Sequence, residues 1–327
     1  MKRIGIPRGM LYYENFPFWR DYFEGIGYEV VLSSKTNKDI MDNGILNSVD
    51  ESCLPVKILH GHVNFLKDKV DYIFIPKIMS LHKREYCCPK ILGLSDMVKN
   101  SIDGLPEIID VVFDLNKKTG LEKGYRDIGK SLVISSVKSF KSFRNALNGI
   151  DRYNDWLESE LLPKYSKSSP KNTNISILIN LSNILVLGHS YNVFDKFINM
   201  DILNKLVEKH INIYTAEDVC EDDIRKYSNF TKKRMFWTHG RRILGAANYY
   251  FVKGKIDGII YLSSFGCGLD SVLTYIVSKQ SSKYEVPFMN LILDEQTGEA
   301  GMNTRLEAFL DMMYWRDKNK SNISTFR

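Results

Sequence analysis

Ile256-Asp257-Gly258-Ile259-Ile260-Tyr261-Leu262-Ser263, followed by Ser264-Phe265-Gly266-Cys267-Gly268 and then by a helical pattern over residues 269–279, is the stretch that decides the fold. A short, almost unbroken apolar run is not the alternating pattern of a sheet with one wet face. It reads as a strand buried on both faces. The glycines around Cys267 suit a tight strand-to-helix turn. Strand, tight turn and helix in that order form the repeating unit of a parallel α/β sheet.

Working outward, the same grammar recurs. Toward the C-terminus, Phe288–Leu293 reads as a strand and residues 303–315 as the closing helix, with a polar, frayed tail over 317–327. Toward the N-terminus, residues 236–252 read as an amphipathic helix, Asn212–Tyr214 as a short strand, 195–210 as a helix and 184–188 as a strand. The first hundred residues behave likewise. Strands are expected at 3–7, 27–32 and 70–76, and helices over Tyr12–Gly25, 37–47 (with Ser33-Ser34 as its cap), Leu54–Leu66 and 90–99. From about 119 to 162 strand signals vanish, and Phe140, Phe143, Leu147, Ile150, Tyr153, Trp156 and Leu157 recur at steps of three and four, as in one long helix or two. Pro163 ends this pattern, and 166–174 reads as a linker. The expected fold class is therefore α/β: two Rossmann-like (flavodoxin-like) parallel-sheet domains with a helical insert between them. The expected bounds are 1–116, 117–170 for the helical segment and linker, and 171–327.

The chain has 327 residues, 44% of them apolar and 26% charged. That size and apolar share exclude a disordered or fibrous chain, and no disulfide or structural metal is needed merely to fold. Net charge is +6, but the lysines are scattered rather than gathered, which argues against nucleic acid as a partner. The longest apolar runs fall far short of the ~20 residues of a membrane helix, so no membrane partner is expected. Met1-Lys2-Arg3-Ile4-Gly5-Ile6-Pro7 carries no signal-peptide core, and a cytoplasmic location is expected. Five cysteines in such a chain argue against a disulfide framework.

Three of those cysteines share a local context. Cys53 precedes Leu54-Pro55 at the start of a helical stretch, Cys88 precedes Pro89 at the start of another, and Cys267 sits in the strand-to-helix turn already quoted. Proline suits the first helical turn, so each thiol is expected at a helix start, where free N–H groups and the positive dipole end favour a thiolate. Strand-to-helix turns gather at the carboxyl edge of a parallel sheet. The three sulfurs are thus expected to meet in the cleft between the domains. Three thiolates suit an iron–sulfur cluster with one iron left open, and zinc with a water is the competing metal. The bland alternative is that they are small buried residues at helix starts. Cys87 and Cys88 would point opposite ways in an extended segment; Cys88 is the preferred ligand and Cys87 the alternate. Cys220 lies among Glu217, Asp218, Glu221, Asp222 and Asp223 and reads as structural.

Around these residues the sequence becomes similar to a known family. Ile4-Gly5-Ile6-Pro7-Arg8, Tyr13-Glu14-Asn15-Phe16-Pro17-Phe18-Trp19 and Gly27-Tyr28-Glu29-Val30-Val31-Leu32-Ser33 resemble the opening of CoA-substrate-specific enzyme activase-related proteins. Those proteins are similar to subunits of the 2-hydroxyacyl-CoA dehydratase and benzoyl-CoA reductase superfamily. Cys53-Leu54-Pro55-Val56-Lys57 with His60-Gly61-His62, Cys88-Pro89 and Phe265-Gly266-Cys267-Gly268 resemble the superfamily's three cysteine motifs. Gly188-His189-Ser190-Tyr191-Asn192 and the stretch from Asp294-Glu295-Gln296 through Thr304-Arg305-Leu306 also match its pattern.

The resemblance implies a [4Fe–4S] cluster on Cys53, Cys88 and Cys267 and a low-potential electron from a separate ATP-hydrolysing activator, under anaerobic conditions. It further implies an acyl-CoA substrate and, as in the better-known dehydratases, one-electron reduction of a 2-hydroxyacyl thioester to a ketyl radical that expels hydroxide, a lyase reaction. A second related subunit or a homodimer is implied as well. Alternatives are a double-cubane-type reductase of small molecules and a non-catalytic cluster carrier that docks the activator.

Lys57, one turn after Cys53, could offset cluster charge or be an ordinary solvated lysine. His60 and His62 read as surface or packing residues. His189, after a strand end, is a candidate for proton transfer, with a turn residue as the alternative. Glu295 is a candidate general base and, with Glu299, an alternative helix cap. No dinucleotide fingerprint or Walker-type phosphate loop is present.

Overall fold

The computed structural model describes residues 1–147, 149, 151–162, 182–230 and 233–324. The linker expected over 166–174 lies outside them. The chain falls into two compact units: Met1–Leu162 with Met235–Arg241, and Pro163–Arg234 with Arg242–Arg327. The helices of the middle third belong to the first unit.

The strands are β1 (Arg3–Ile6), β2 (Glu29–Leu32), β3 (Tyr72–Phe74), β4 (Lys77–Ser80), β5 (Glu107–Ile109), β6 (Val112–Asp114), β7 (Asn183–Gly188), β8 (Asn212–Tyr214), β9 (Gly258–Ser264) and β10 (Phe288–Leu293). In the first unit the order is β2-β1-β3-β5, all parallel, with Ile4 opposite Val30 and Ile73 opposite Ile108. β4 pairs with β6 just beyond. Pro76 separates β3 from β4 because it has no N–H to give. Ile75 N still donates to Ile109 O at 3.1 Å and Lys77 N to Val111 O at 2.9 Å, so the ladder resumes past it.

In the second unit the order is β10-β9-β7-β8, also all parallel. The stretch quoted first becomes β9, buried along its whole length. Strand order reverses between β7 and β9, so the turns leaving these two neighbours flank a switch point, where open α/β sheets bind ligands. Gly188 closes β7 with φ +153. A Cβ there would lie 2.6 Å from the Leu262 carbonyl oxygen, so only glycine lets β7 run so close to β9 and turn out into His189.

Several boundaries differ from the sequence expectation, each for a local reason. Asn37, rather than Ser33-Ser34, caps the helix Lys38–Leu46, its side chain accepting from Ile40 N at 3.0 Å; Ser33 Oγ accepts from Arg8 N instead. The expected helix over 90–99 breaks at Gly93 into Pro89–Leu92 and Leu94–Ser101. Of the expected helix over 195–210 only Ile202–Glu208 is helical, with a separate short helix Ser190–Phe194 before it, because Asp195 accepts from Phe197 N and Ile198 N while Met200 and Asp201 adopt left-handed conformations. The middle third holds Gly120–Ser131, Ser136–Leu147 and Asp151–Trp156, the first break falling at Val133 with φ +56. The final helix runs Glu299–Ser324, beyond 317, with no Gly or Pro to stop it.

The middle helices cover the helix Tyr12–Gly25. Ser142 Oγ donates to Tyr22 O at 2.7 Å, Tyr22 Oη and Ser139 Oγ lie 2.8 Å apart, and Phe18 meets Phe143 edge to face at 5.3 Å. No helix among the described residues is long and apolar enough to cross a membrane.

Candidate metal centre

Cys53 is the N-cap of the helix Leu54–Leu66, which has Pro55 in its first turn and is buried from Leu54 to Val63. That helix leads directly into β3 of a parallel sheet, so its N-terminus faces the carboxyl edge. It is held by close backbone approach to the helix Lys38–Leu46: a Cβ on Gly61 would lie 1.8 Å from Ile40 O, and one on Gly44 2.1 Å from Lys57 O. Cys88 is the N-cap of Pro89–Leu92, in the segment that leaves β4 at the same edge. That helix is a single turn, so its dipole is smaller than an uninterrupted 90–99 helix would give. Lys90 Nζ donates to Glu51 O at 3.2 Å, so the two cysteine segments lie against each other.

Cys87 and Cys88 face different surroundings, as the extended geometry requires. Cys88 is half-buried, whereas Cys87 is buried and its N–H donates to Met79 O at 3.0 Å. Burial, with the charges of Glu14, Cys88 and Glu85 adding to it, pushes the Cys87 thiol up to about 12.

In the second unit Cys267 is the N-cap of Gly268–Lys283, its Sγ accepting from Asp270 N at 3.5 Å. His189, at the end of β7, brings Nε2 to 4.0 Å from Cys267 Sγ and 3.4 Å from Asp270 Oδ1. The ligand atoms of His189, Cys267 and Asp270 all lie within 4.8 Å of one another. Asp270 is 1% exposed and held on both oxygens, Oδ1 accepting from Tyr261 Oη at 2.9 Å and Oδ2 from Ser264 N at 3.0 Å. Burial, then the charge of Asp270, raises the Tyr261 hydroxyl well above its ordinary value, so it remains a donor. His189 stacks on Tyr191 at 4.9 Å. The switch point thus presents nitrogen, sulfur and oxygen donors together, each fixed by the strand or helix that carries it.

Of the remaining candidates, Lys57 is buried at 4% exposure, which removes the solvated-lysine alternative. Glu295 is half-buried in the turn after β10, and Glu299 opens the last helix and pairs with Lys205 at 2.6 Å. Cys220 is exposed and caps the helix Glu221–Tyr227, its Sγ 3.5 Å from Asp223 Oδ2.

His60 and His62 are packing residues. His60 Nδ1 lies 2.8 Å from Val56 O, and His62 Nε2 3.0 Å from Thr36 Oγ1. Burial, with the nearby Arg8 charge, lowers His62 from 6.5 to about 3, and burial lowers His60 as well. The unfolded chain therefore takes up protons below pH 6.5 that the fold refuses. Stability is expected to be full above pH 6.5 and to fall as pH drops toward 3, with His62→Gln flattening part of that slope. Urea unfolding of both proteins at pH 7.5, 6 and 4.5 checks this; parallel profiles would contradict it.

Trp237, His239 and Arg241, absent from the sequence reading, lie near the Cys87–Cys88 segment through Glu14, Glu85 and Tyr86. Tyr86 bridges to Trp237, with Tyr86 N donating to Phe236 O at 2.8 Å and Thr238 N to Tyr86 O at 3.0 Å. This brings Arg241 Nε to 2.7 Å from Glu85 Oε1, a pair 3% and 1% exposed. It also brings His239 Nε2 to 3.1 Å from Glu14 Oε1.

Two parallel α/β units, with thiols at helix starts past the sheet edges, define the class of protein. Within that class the chain belongs to the family described as the CoA enzyme activase uncharacterised domain, whose model matches residues 3–219. Residues 179–313 match 2-hydroxyglutaryl-CoA dehydratase, D-component. The first match contains Cys53 and Cys88; the second contains Cys267 and Glu295; His189 lies in both. The chain is thus related to the 2-hydroxyacyl-CoA dehydratases. No match was found among curated proteins.

Proposed function

We propose that the chain is an iron–sulfur component of the 2-hydroxyacyl-CoA dehydratase type, cytoplasmic and anaerobic, with Cys53, Cys88 and Cys267 holding one [4Fe–4S] cluster. The observation that carries this reading is the shared placement of the three thiols. Each is the N-cap of a helix, and the segments around them point past the carboxyl edge of a parallel sheet. Sulfur donors at unpaired N–H groups fit a thiolate-ligated cluster. When bound, a cluster with one iron lacking a protein ligand supplies a one-electron and Lewis-acid site for an acyl-CoA thioester.

The chain's own residues would act around it. His189 Nε2 holds or moves a proton beside Cys267, oriented by Asp270. Lys57, one turn into the Cys53 helix, offsets anionic charge, and Glu295 serves as a second proton group. Cys87 stays a buried thiol. A separate ATPase activator is the electron donor, with a second related subunit or a second copy as partner.

One observation favours a second metal. The mixed nitrogen, sulfur and oxygen set of His189, Cys267 and Asp270 is also a zinc-type donor set. Mixing the anaerobic protein with an activator ATPase of this system, a low-potential reductant and ATP tests the first reading. A reduced-cluster EPR signal that requires ATP is expected; its absence with an activator that reduces a known dehydratase would contradict it.

A further inference from the structure

We infer that the helical hairpin over residues 120–147 of the first unit is a docking surface for an anionic lipid membrane, which it touches with Val133, Val137 and Phe140 inside a rim of cations. The inference does not depend on any metal.

Between residues 117 and 144 the chain holds eight lysines and arginines against Glu122 and Asp127, an excess equal to the net charge of the whole protein. Spread out in sequence, these cations are gathered by the fold, because the helices Gly120–Ser131 and Ser136–Leu147 run back along one another. Tyr125 meets Phe143 at 4.9 Å, and Gly129 lies against Ser139. Arg126, Lys130 and Lys117 are paired with carboxylates at 3.8, 3.4 and 3.7 Å. Lys138, Lys141 and Arg144 have no carboxylate partner among the described residues.

The outward face is apolar as well as basic. The helix Ser136–Leu147 buries Ser139, Ser142, Phe143 and Ala146. It leaves Val137 78% and Phe140 44% exposed, with Lys141 and Arg144 at the spacing of the same face. Val133, in the turn, is 91% exposed. It holds the left-handed place after a helix end where glycine is usual, with φ +56 and Ile134 N donating to Gly129 O at 2.7 Å. A β-branched side chain is strained there and buries nothing within the chain in return, so its use lies outside the chain.

The occupant follows from this chemistry. Protein interfaces favour arginine and aromatic residues and are poor in lysine, and six of the eight cations here are lysine. A layer of anionic headgroups attracts lysine as a point charge, and the acyl boundary beneath it accepts aliphatic and aromatic tips. Contact of this kind needs no membrane-spanning helix. The surface also stands clear of the cysteines. A Cβ on Gly27 would lie 3.2 Å from Lys138 Nζ, and Tyr28 Oη donates to Leu132 O at 3.4 Å. Gly27 and Tyr28 lead into β2, so the hairpin turn lies at the amino edge of the sheet, opposite the edge of Cys53 and Cys88.

Co-sedimentation of the full chain with phosphatidylcholine vesicles, with and without about one-third phosphatidylglycerol, tests this, with soluble polyglutamate standing in for an acidic protein. Binding to the anionic vesicles is expected to be about tenfold or more tighter than to the neutral ones and to weaken steeply as salt rises. Lys138→Glu/Lys141→Glu is expected to weaken it about tenfold or more. Val133→Gly relieves the left-handed residue, so it is expected to keep the native urea midpoint yet bind anionic vesicles about fivefold more weakly. Val137→Ser, on the helix, is expected to weaken binding by a similar factor. No binding to anionic vesicles, equal binding to both kinds, or full binding by Val133→Gly and Val137→Ser would each overturn the inference. Polyglutamate bound more tightly, charge for charge, than the vesicles would overturn it in favour of an acidic protein partner.

Discussion

Cys53→Ala, Cys88→Ala and Cys267→Ala are each expected to lose nearly all bound iron and the accompanying visible absorption, while Cys87→Ala and Cys220→Ala keep both. The asymmetry between neighbours is the informative part. Removing one of three thiolates leaves a cluster with two protein anchors, too few to retain it. Cys87 is buried where Cys88 is half-buried, so removing Cys87 is expected to leave the three proposed ligands in place. Its loss costs about 1 kcal/mol of packing and no iron. Iron content and visible spectra of the five anaerobically purified variants check this. Iron lost from Cys87→Ala but kept by Cys88→Ala would show that the wrong neighbour carries the role.

The second large effect concerns stability. Arg241 and Glu85 form an ion pair at 2.7 Å with almost no exposure. Arg241→Met leaves the Glu85 carboxylate buried without its counter-charge, which is expected to cost about 3–5 kcal/mol. The double variant Arg241→Met/Glu85→Met is expected to regain most of that loss, because two apolar side chains leave no charge to solvate. Urea unfolding of the native chain, the single and the double variants measures both steps. A single-variant loss below about 1 kcal/mol would contradict the pair's place in the fold. Because Glu85 lies two residues before Cys87, the single variant should also bind iron less tightly at the Cys88 site, whereas the double variant should recover.

What the sequence disclosed follows from what is local. β9 and β10 are short apolar runs, and the helix Leu54–Leu66 carries its proline one residue inside its start; both signals sit within a single element. The cysteine positions at helix starts were legible for the same reason. Boundaries failed where one side chain decided them: Asn37 outcompeted the serines as a cap, and Asp195, with the left-handed Asp201, delayed the start of the helix expected from 195.

The polar network around Cys87 was not legible. Glu14 and His239 are 225 residues apart, and no spacing rule connects them. Arg241 looked like one polar residue on an amphipathic helix. Asp270 was missed differently, since it reads as an ordinary first-turn acid of the helix after Cys267. The Cys-x-x-Asp spacing at a strand-to-helix turn was the available signal, because the i,i+3 step returns the carboxylate to the cap.

The most direct test is the metal itself. Iron, zinc and acid-labile sulfide are counted on the anaerobically purified chain, and EPR spectra are recorded after reduction. The account predicts about four irons and four sulfides per chain, with a signal from a reduced cluster. About one zinc per chain, no sulfide and no EPR signal would contradict it and would favour a zinc site at His189, Cys267 and Asp270.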